Sequence, residues 1–162
     1  VNGTLREFYV YVPTEVKNGN MKNVPVVFAF HGGGGSGEEF AARSGWDKLA
    51  EERNFVVVFP TGCRSDNKFK ASTTWKVDDL PFFSEMRNYM LKNYSIDASR
   101  IYVSGQSMGC VMSTTIALTH PEWIAACAAT SARVMPSETA NVNTSLVMPY
   151  MWSVGEKDKY FV

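Results

Sequence analysis

The chain has 162 residues, 45% of them hydrophobic and 20% charged, which suits one domain with a real core and excludes disorder and collagen-like repeats. Its 16 Lys and Arg balance 16 Asp and Glu, so no net field draws nucleic acid or an anionic membrane to it. With no net field a neutral or locally docked substrate is the expected partner, and no apolar run reaches the roughly 18 residues of a membrane span.

Phe8, Val10 and Val12 alternate with Tyr9 and Tyr11 ahead of Pro13, the period-2 pattern of a strand with two unlike faces. A polar loop with Asn18-Gly19 follows. Residues 24–30 and 55–59 are short Val-rich apolar runs, as expected for strands buried on both faces of a parallel sheet, and residues 38–53 form the crossover helix between them. Residues 60–75 are polar and irregular, a surface loop near the active face. Phe82, Phe83, Met86, Met90 and Tyr94 then recur at helical spacing. Asp78 and Asp79 stand at the amino end of that helix, where carboxylates favour the dipole, and Pro81 is tolerated in its first turn. Residues 101–104 read as a strand, 108–119 as a helix, and 123–130 and 146–154 as two more strands. This alternation predicts a single α/β domain over residues 1–162 with a mainly parallel sheet and crossover helices.

Cys63, Cys110 and Cys127 cannot all pair within the chain, and none has C-x-x-C or Cys/His metal spacing. Cys110 and Cys127 read as small buried thiols. The sequence implies no metal and no cofactor.

Gly105-Gln106-Ser107-Met108-Gly109 is a G-x-S-x-G pentapeptide set between a predicted strand and a predicted helix. Serine nucleophiles are presented this way: the turn lifts the hydroxyl off the sheet, and the glycines leave room where a β-carbon would strike the adjoining strand and helix. A plain Gly/Ser turn is the alternative, and the strand-to-helix context argues for the nucleophile. The Met108 N–H, at the start of the helix, then points at the oxyanion that forms when Ser107 attacks a carbonyl. His31-Gly32-Gly33-Gly34-Gly35-Ser36-Gly37 follows a strand and lets backbone N–H groups approach a ligand. With no Lys-Ser/Thr closing it as a phosphate loop and no dinucleotide fingerprint, it reads as the other half of an oxyanion hole, with Gly33 or Gly34 as donor.

These segments resemble the α/β-hydrolase fold, and within it the secreted polyhydroxybutyrate-depolymerase and feruloyl-esterase group of carboxylesterases. The likeness runs through Phe8-Tyr9-Val10-Tyr11-Val12-Pro13, Pro25 to Gly34, Gly45-Trp46-Asp47, Val57-Val58-Phe59-Pro60, Val77-Asp78-Asp79 and Ile96 to Gly105, nearly the whole chain. It implies a serine esterase acting on aryl or short acyl esters of plant polysaccharide, or on hydroxyalkanoate esters, and it implies secretion. It also implies Asp158, in Gly155-Glu156-Lys157-Asp158, as the triad acid. From position alone, Glu156 serves as well, or either is a solvated loop charge.

The base is missing from this pattern. The chain holds only His31 and His120, and a histidine following the acid is what the order Ser, Asp, His requires. His31 reads as a brace for the glycine loop and His120, before Pro121 at a helix end, as structural. The expectation is therefore the amino-terminal part of a longer hydrolase, without its C-terminal strand, helix and histidine. The alternatives are a non-catalytic binding domain, or a peptidase or acyltransferase on the same fold. Gln106, beside the nucleophile, and Trp75, at the loop end, are the candidate substrate contacts, with core packing the other reading for Trp75.

Overall fold

The computed structural model describes residues 1, 3, 5–62, 75, 79–132 and 146–158; Cys63, Asp78 and most of the loop expected over residues 60–75 lie outside them. Among the described residues one sheet holds β1 (Phe8–Tyr11), β2 (Val24–Phe30), β3 (Val56–Pro60), β4 (Ile96–Gln106), β5 (Ala126–Thr130) and β6 (Tyr150–Ser153). The spatial order is β1-β3-β2-β4-β5-β6. β1 pairs antiparallel with β3, and the remaining neighbours are parallel. The helices are α1 (Thr14–Lys17), α2 (Gly37–Arg43), α3 (Trp46–Arg53), α4 (Leu80–Asn93) and α5 (Met108–Thr119), with a 3₁₀ turn at Pro121–Trp123.

The sheet separates two cores. On one side Phe28, Phe30, Val103, Cys127 and Ala129 meet Phe83, Met86 and Met90 of α4 and Met112 and Ile116 of α5, with Phe28 and Phe83 edge to face at 5.0 Å. On the other, Ala29, Val57 and Phe59 pack with Ala50 of α3 and, at the margin, Phe40 of α2. The apolar stripe read at residues 82–90 is thus the face that α4 buries. Cys110 and Cys127 are both buried, and burial pushes the Cys127 thiol up to about 12.

Several boundaries differ from the sequence pattern, each for a local reason. The helix expected over residues 38–53 is two helices, because Gly45 turns the chain at φ +74° and each piece docks its own aromatic: Phe40 on Phe59 at 6.3 Å, Trp46 on Phe55 at 6.1 Å. β4 starts at Ile96 rather than near residue 101. A register shift opposite Val24 and Val26 absorbs the polar stretch, in which Ser99 and Arg100 bind the Asp97 carboxylate and hold its pKa down at about 2. The expected strands at 123–130 and 146–154 shorten to Ala126–Thr130 and Tyr150–Ser153, and Thr14–Lys17 makes a helical turn inside the expected loop.

Asp79 stands at the start of α4, as expected. Its side chain makes no capping bond and pairs with Arg6 at 2.6 Å, both side chains under a tenth exposed, while the Arg6 guanidinium lies 4.1 Å from the Phe82 ring centre. A buried pair of this kind gains most of its value from the cost of leaving either partner alone. It ties the segment before β1 to the start of α4.

Candidate active site

In the strand order the chain goes from β2 outward to β3 and then crosses back to β4 on the far side of β2. The crevice beyond the carboxyl ends of β2 and β4 is therefore the switch point of the sheet, where α/β proteins place ligands. His31 and the glycine loop follow β2, and Ser107 follows β4, so both sequence motifs emerge into that crevice.

Ser107 has φ 54° and ψ −120°, a conformation that costs an L-residue about 1–3 kcal/mol. Packing imposes it. A β-carbon on Gly105 would lie 2.1 Å from the Gly109 carbonyl oxygen, and one on Gly109 would lie 2.1 Å from that of Phe30, so α5 sits directly against the ends of β4 and β2. The Ser107 N–H donates to Thr130 O at 3.0 Å. Although Ser107 occupies the N-cap of α5, its hydroxyl makes no capping bond, which leaves Oγ available at the positive end of a 12-residue helix.

The glycine loop lies over this turn. A β-carbon on Gly32 would be 3.4 Å from Ser107 Cβ, and one on Gly33 would be 3.2 Å from Met108 Cγ. The loop closes as a turn through Gly35 N–H to Gly32 O at 3.2 Å, with Gly34 at φ +80°. His31 holds the same carbonyl. Its Nε2 accepts from Gly62 N–H at 3.0 Å, so the proton sits on Nδ1, which donates to Gly32 O at 2.6 Å. With two bonds on its carbonyl, the trans peptide between Gly32 and Gly33 has a fixed plane, and the Gly33 N–H points away from that carbonyl.

His31 is 2% exposed, and both its nitrogens are occupied. Burial lowers its pKa below the ordinary 6.5, outweighing the Gly32 bond and the Glu39 and Asp79 carboxylates. The folded chain thus refuses a proton that the unfolded chain takes up. Stability is at its full value above pH 6.5 and declines as pH falls from there toward the depressed folded value. Thermal melts between pH 7.5 and 5 should show a steeper acid loss for wild type than for His31→Gln, which cannot titrate; parallel slopes would refute the assignment.

His120 caps the other end of α5, about 20 Å along the helix from Ser107. There it stacks on Trp123 at 4.0 Å and meets Glu122 at 3.3 Å. Neither histidine of the chain is placed to take the Ser107 proton.

Register carries the crevice across the sheet. Gln106 pairs with Thr130 and Thr130 with Ser153, so the chain leaves β6 level with Ser107, two strand spacings or about 10 Å away. Just beyond, Gly155 to Asp158 form a turn closed by Asp158 N–H to Gly155 O at 3.0 Å, with Asp158 half-buried and Glu156 exposed.

A cavity of about 340 Å³ opens beside Ser107, lined by that residue, the glycine loop, Gln106 and three residues of α2, Glu39, Phe40 and Arg43. The sequence reading found Gln106 and missed the α2 side chains. Their signal is present in Glu39-x-x-x-Arg43, one helical face directly after the glycine loop. Trp75 is corrected in the opposite sense. It is 4% exposed, its Nε1 donates to His31 O at 2.8 Å, and its ring meets Phe30 and His31, so it packs the loop from below instead of presenting a face to substrate.

A mainly parallel sheet with a strained serine at its switch point defines an α/β-hydrolase fold. The Esterase family model matches residues 2–161, and the chain belongs to that family. Among curated relatives it is similar to Feruloyl esterase B of Talaromyces stipitatus, 28% identical over 131 residues, 77% of this chain and 35% of that protein. It is also similar to Poly(3-hydroxyalkanoate) depolymerase C of Paucimonas lemoignei, 33% identical over 120 residues, 70% of this chain and 29% of that protein. The chain spans about a third of the length of these relatives. Among solved structures, the acetyl xylan esterase from Aspergillus awamori superimposes with a TM-score of 0.71 at 19% identity, covering 93% of this chain and 66% of that one. The S-formylglutathione hydrolase from Agrobacterium tumefaciens does so at 0.73 and 18%, covering 96% and 72%.

Proposed function

We propose that these residues supply the nucleophile, oxyanion donors and acid of a serine carboxylesterase that works through an acyl-serine intermediate. The observation that carries this reading is Ser107, held at φ 54° by close packing with its hydroxyl left out of the helix cap. A structure that strains a serine and then does not use its side chain locally is consistent with a chemical role for that side chain.

In this reading Ser107 Oγ attacks the ester carbonyl, and a histidine outside the 162 residues takes its proton. The N–H groups of Met108 and Gly33 receive the oxyanion; Gly33 is favoured over Gly34 because its peptide plane is pinned from the carbonyl side. Asp158 orients the imidazole and stabilises its charged form, and the gap of about 10 Å between the ends of β4 and β6 leaves room for a ring between the two side chains. The protonated imidazole then passes its proton to the departing alcohol, and water attacks the acyl-serine to release the acid. Similarity to a feruloyl esterase and to acetylxylan esterases supports feruloyl or other aryl, and short acyl, esters of plant polysaccharide as substrates, and similarity to a depolymerase supports hydroxyalkanoate esters.

Neither histidine being free supports one other reading, a non-catalytic domain that kept the elbow. Labelling of the full-length protein with a fluorophosphonate separates the two. Wild type should label within minutes and Ser107→Ala not at all; a folded wild type that stays unlabelled leaves only the non-catalytic domain.

A further inference from the structure

We propose that Trp75 is a positioning residue for the oxyanion hole: its indole N–H holds the backbone carbonyl on which the glycine loop and the start of α5 both bear. The role rests on the esterase reading of Ser107.

The carbonyl is that of His31. Trp75 Nε1–H donates to it at 2.8 Å, and the bond is enclosed, with Trp75 4% and His31 2% exposed. A β-carbon on Gly109 would lie 2.7 Å from the same oxygen, so the first turn of α5 rests against it. The Met108 N–H therefore enters the crevice from a helix whose seat the Trp75 bond fixes.

The glycine loop starts from the same point. In the trans peptide that joins His31 to Gly32, a bond on the carbonyl sets the plane. The next plane, Gly32 to Gly33, is set by the bonds of His31 Nδ1–H and Gly35 N–H to Gly32 O. Two consecutive peptides are thus pinned at their carbonyls, and the second carries the Gly33 N–H. Only φ and ψ of Gly32 join the two planes, and glycine restricts neither, so the alignment of the first depends on what holds its oxygen.

The indole ring completes the mount. It meets His31 at 4.8 Å and Phe30 edge to face at 5.1 Å, while Gly62 N–H holds His31 Nε2 at 3.0 Å. His31 is gripped on its carbonyl by residue 75 and on its ring by residues 62 and 75. Removing the indole N–H alone leaves a buried carbonyl to find another donor, and the backbone that carries both oxyanion donors moves with it. Loss of one such donor outright costs about 10²–10³ in turnover, so a displaced pair should cost about tenfold or more.

The test replaces Trp75 in the full-length protein by 3-benzothienylalanine, which keeps the bicyclic shape and puts a sulfur where the N–H was, beside Trp75→Phe. Turnover of 4-nitrophenyl acetate gives kcat and KM, and phenylboronic acid, which forms a tetrahedral anionic adduct with a serine hydroxyl, reads the oxyanion hole separately. Both variants should lose about tenfold or more in kcat and bind phenylboronic acid more weakly by a similar factor, with KM within about twofold of wild type. Phe83→Leu, which thins the same core without touching the His31 carbonyl, should lower the melting temperature and keep kcat. Unchanged kcat in the benzothienylalanine protein would overturn the role. So would a rise in KM alone, which would put Trp75 against substrate. Fluorophosphonate labelling of wild type reads the parent claim: labelling and turnover with undiminished kcat in the variant remove the positioning role and leave the esterase, whereas a wild type that neither labels nor turns over removes both.

Discussion

Ser107→Gly is expected to be more stable than Ser107→Ala by about 1 kcal/mol while sharing its loss of activity. Glycine accepts a positive φ readily and relieves about 1–3 kcal/mol of strain, and its greater freedom in the unfolded chain takes back about 0.4–1 kcal/mol. Alanine keeps the strain and should melt with wild type. Under the proposed mechanism both substitutions remove the attacking oxygen, and turnover of the full-length protein should fall on the order of 10⁶-fold, the loss seen when a serine protease loses its nucleophile. Urea melts of the three proteins beside ester turnover give the comparison. A glycine variant less stable than the alanine variant would mean that the φ of 54° at Ser107 stores no strain. Retained turnover in either would place the nucleophile elsewhere.

Gly109→Ala should cost about 4 kcal/mol, beyond the range of ordinary substitutions. Its β-carbon would lie 2.1 Å from Phe30 O and 2.7 Å from His31 O. These are backbone atoms in a buried strand and its first loop residue, so no side chain can swing aside. Relief requires α5 to lift away from β2, which carries Met108 off the position where it faces the glycine loop. Under the proposed mechanism, a shift near 1 Å in the Met108 oxyanion donor costs about 10²-fold in rate. At 2–4 °C per kcal/mol for a domain of this size, the melting temperature should drop by about 12 °C. Gly33→Ala is the contrast. Its β-carbon meets the movable Met108 side chain at 3.2 Å, so stability should change by less than about 1 kcal/mol. Equal losses at both positions would show that the close approach at Gly109 is not what sets the geometry.

Much of the fold was legible because its signals are local. The Val-rich runs that become β2 and β3, the stripe from Phe82 to Met90 and the strand-to-helix setting of Ser107 depend on neighbours in the chain, and α5 spans the residues expected of it. Local signals misread two places. The break at Gly45 depends on two aromatics docking separately on the small core, and the early start of β4 depends on a shifted pairing with Val24 that its polar residues conceal.

For this protein the sequence by itself determined an α/β chain with a serine elbow and a glycine loop, since each is a short motif whose chemistry lies in consecutive residues. Tertiary structure alone decided what the motifs share. Strand order brings the ends of β2 and β4 together, a relation between residues more than 70 positions apart that no periodicity encodes. The same long-range contacts occupy Nε2 of His31, bury Trp75 beneath the loop, pair Arg6 with Asp79, and bring Glu39 and Arg43 to the cavity that Ser107 lines. Side-chain roles of this kind are fixed by what lies opposite in space, and that is set only when the sheet closes.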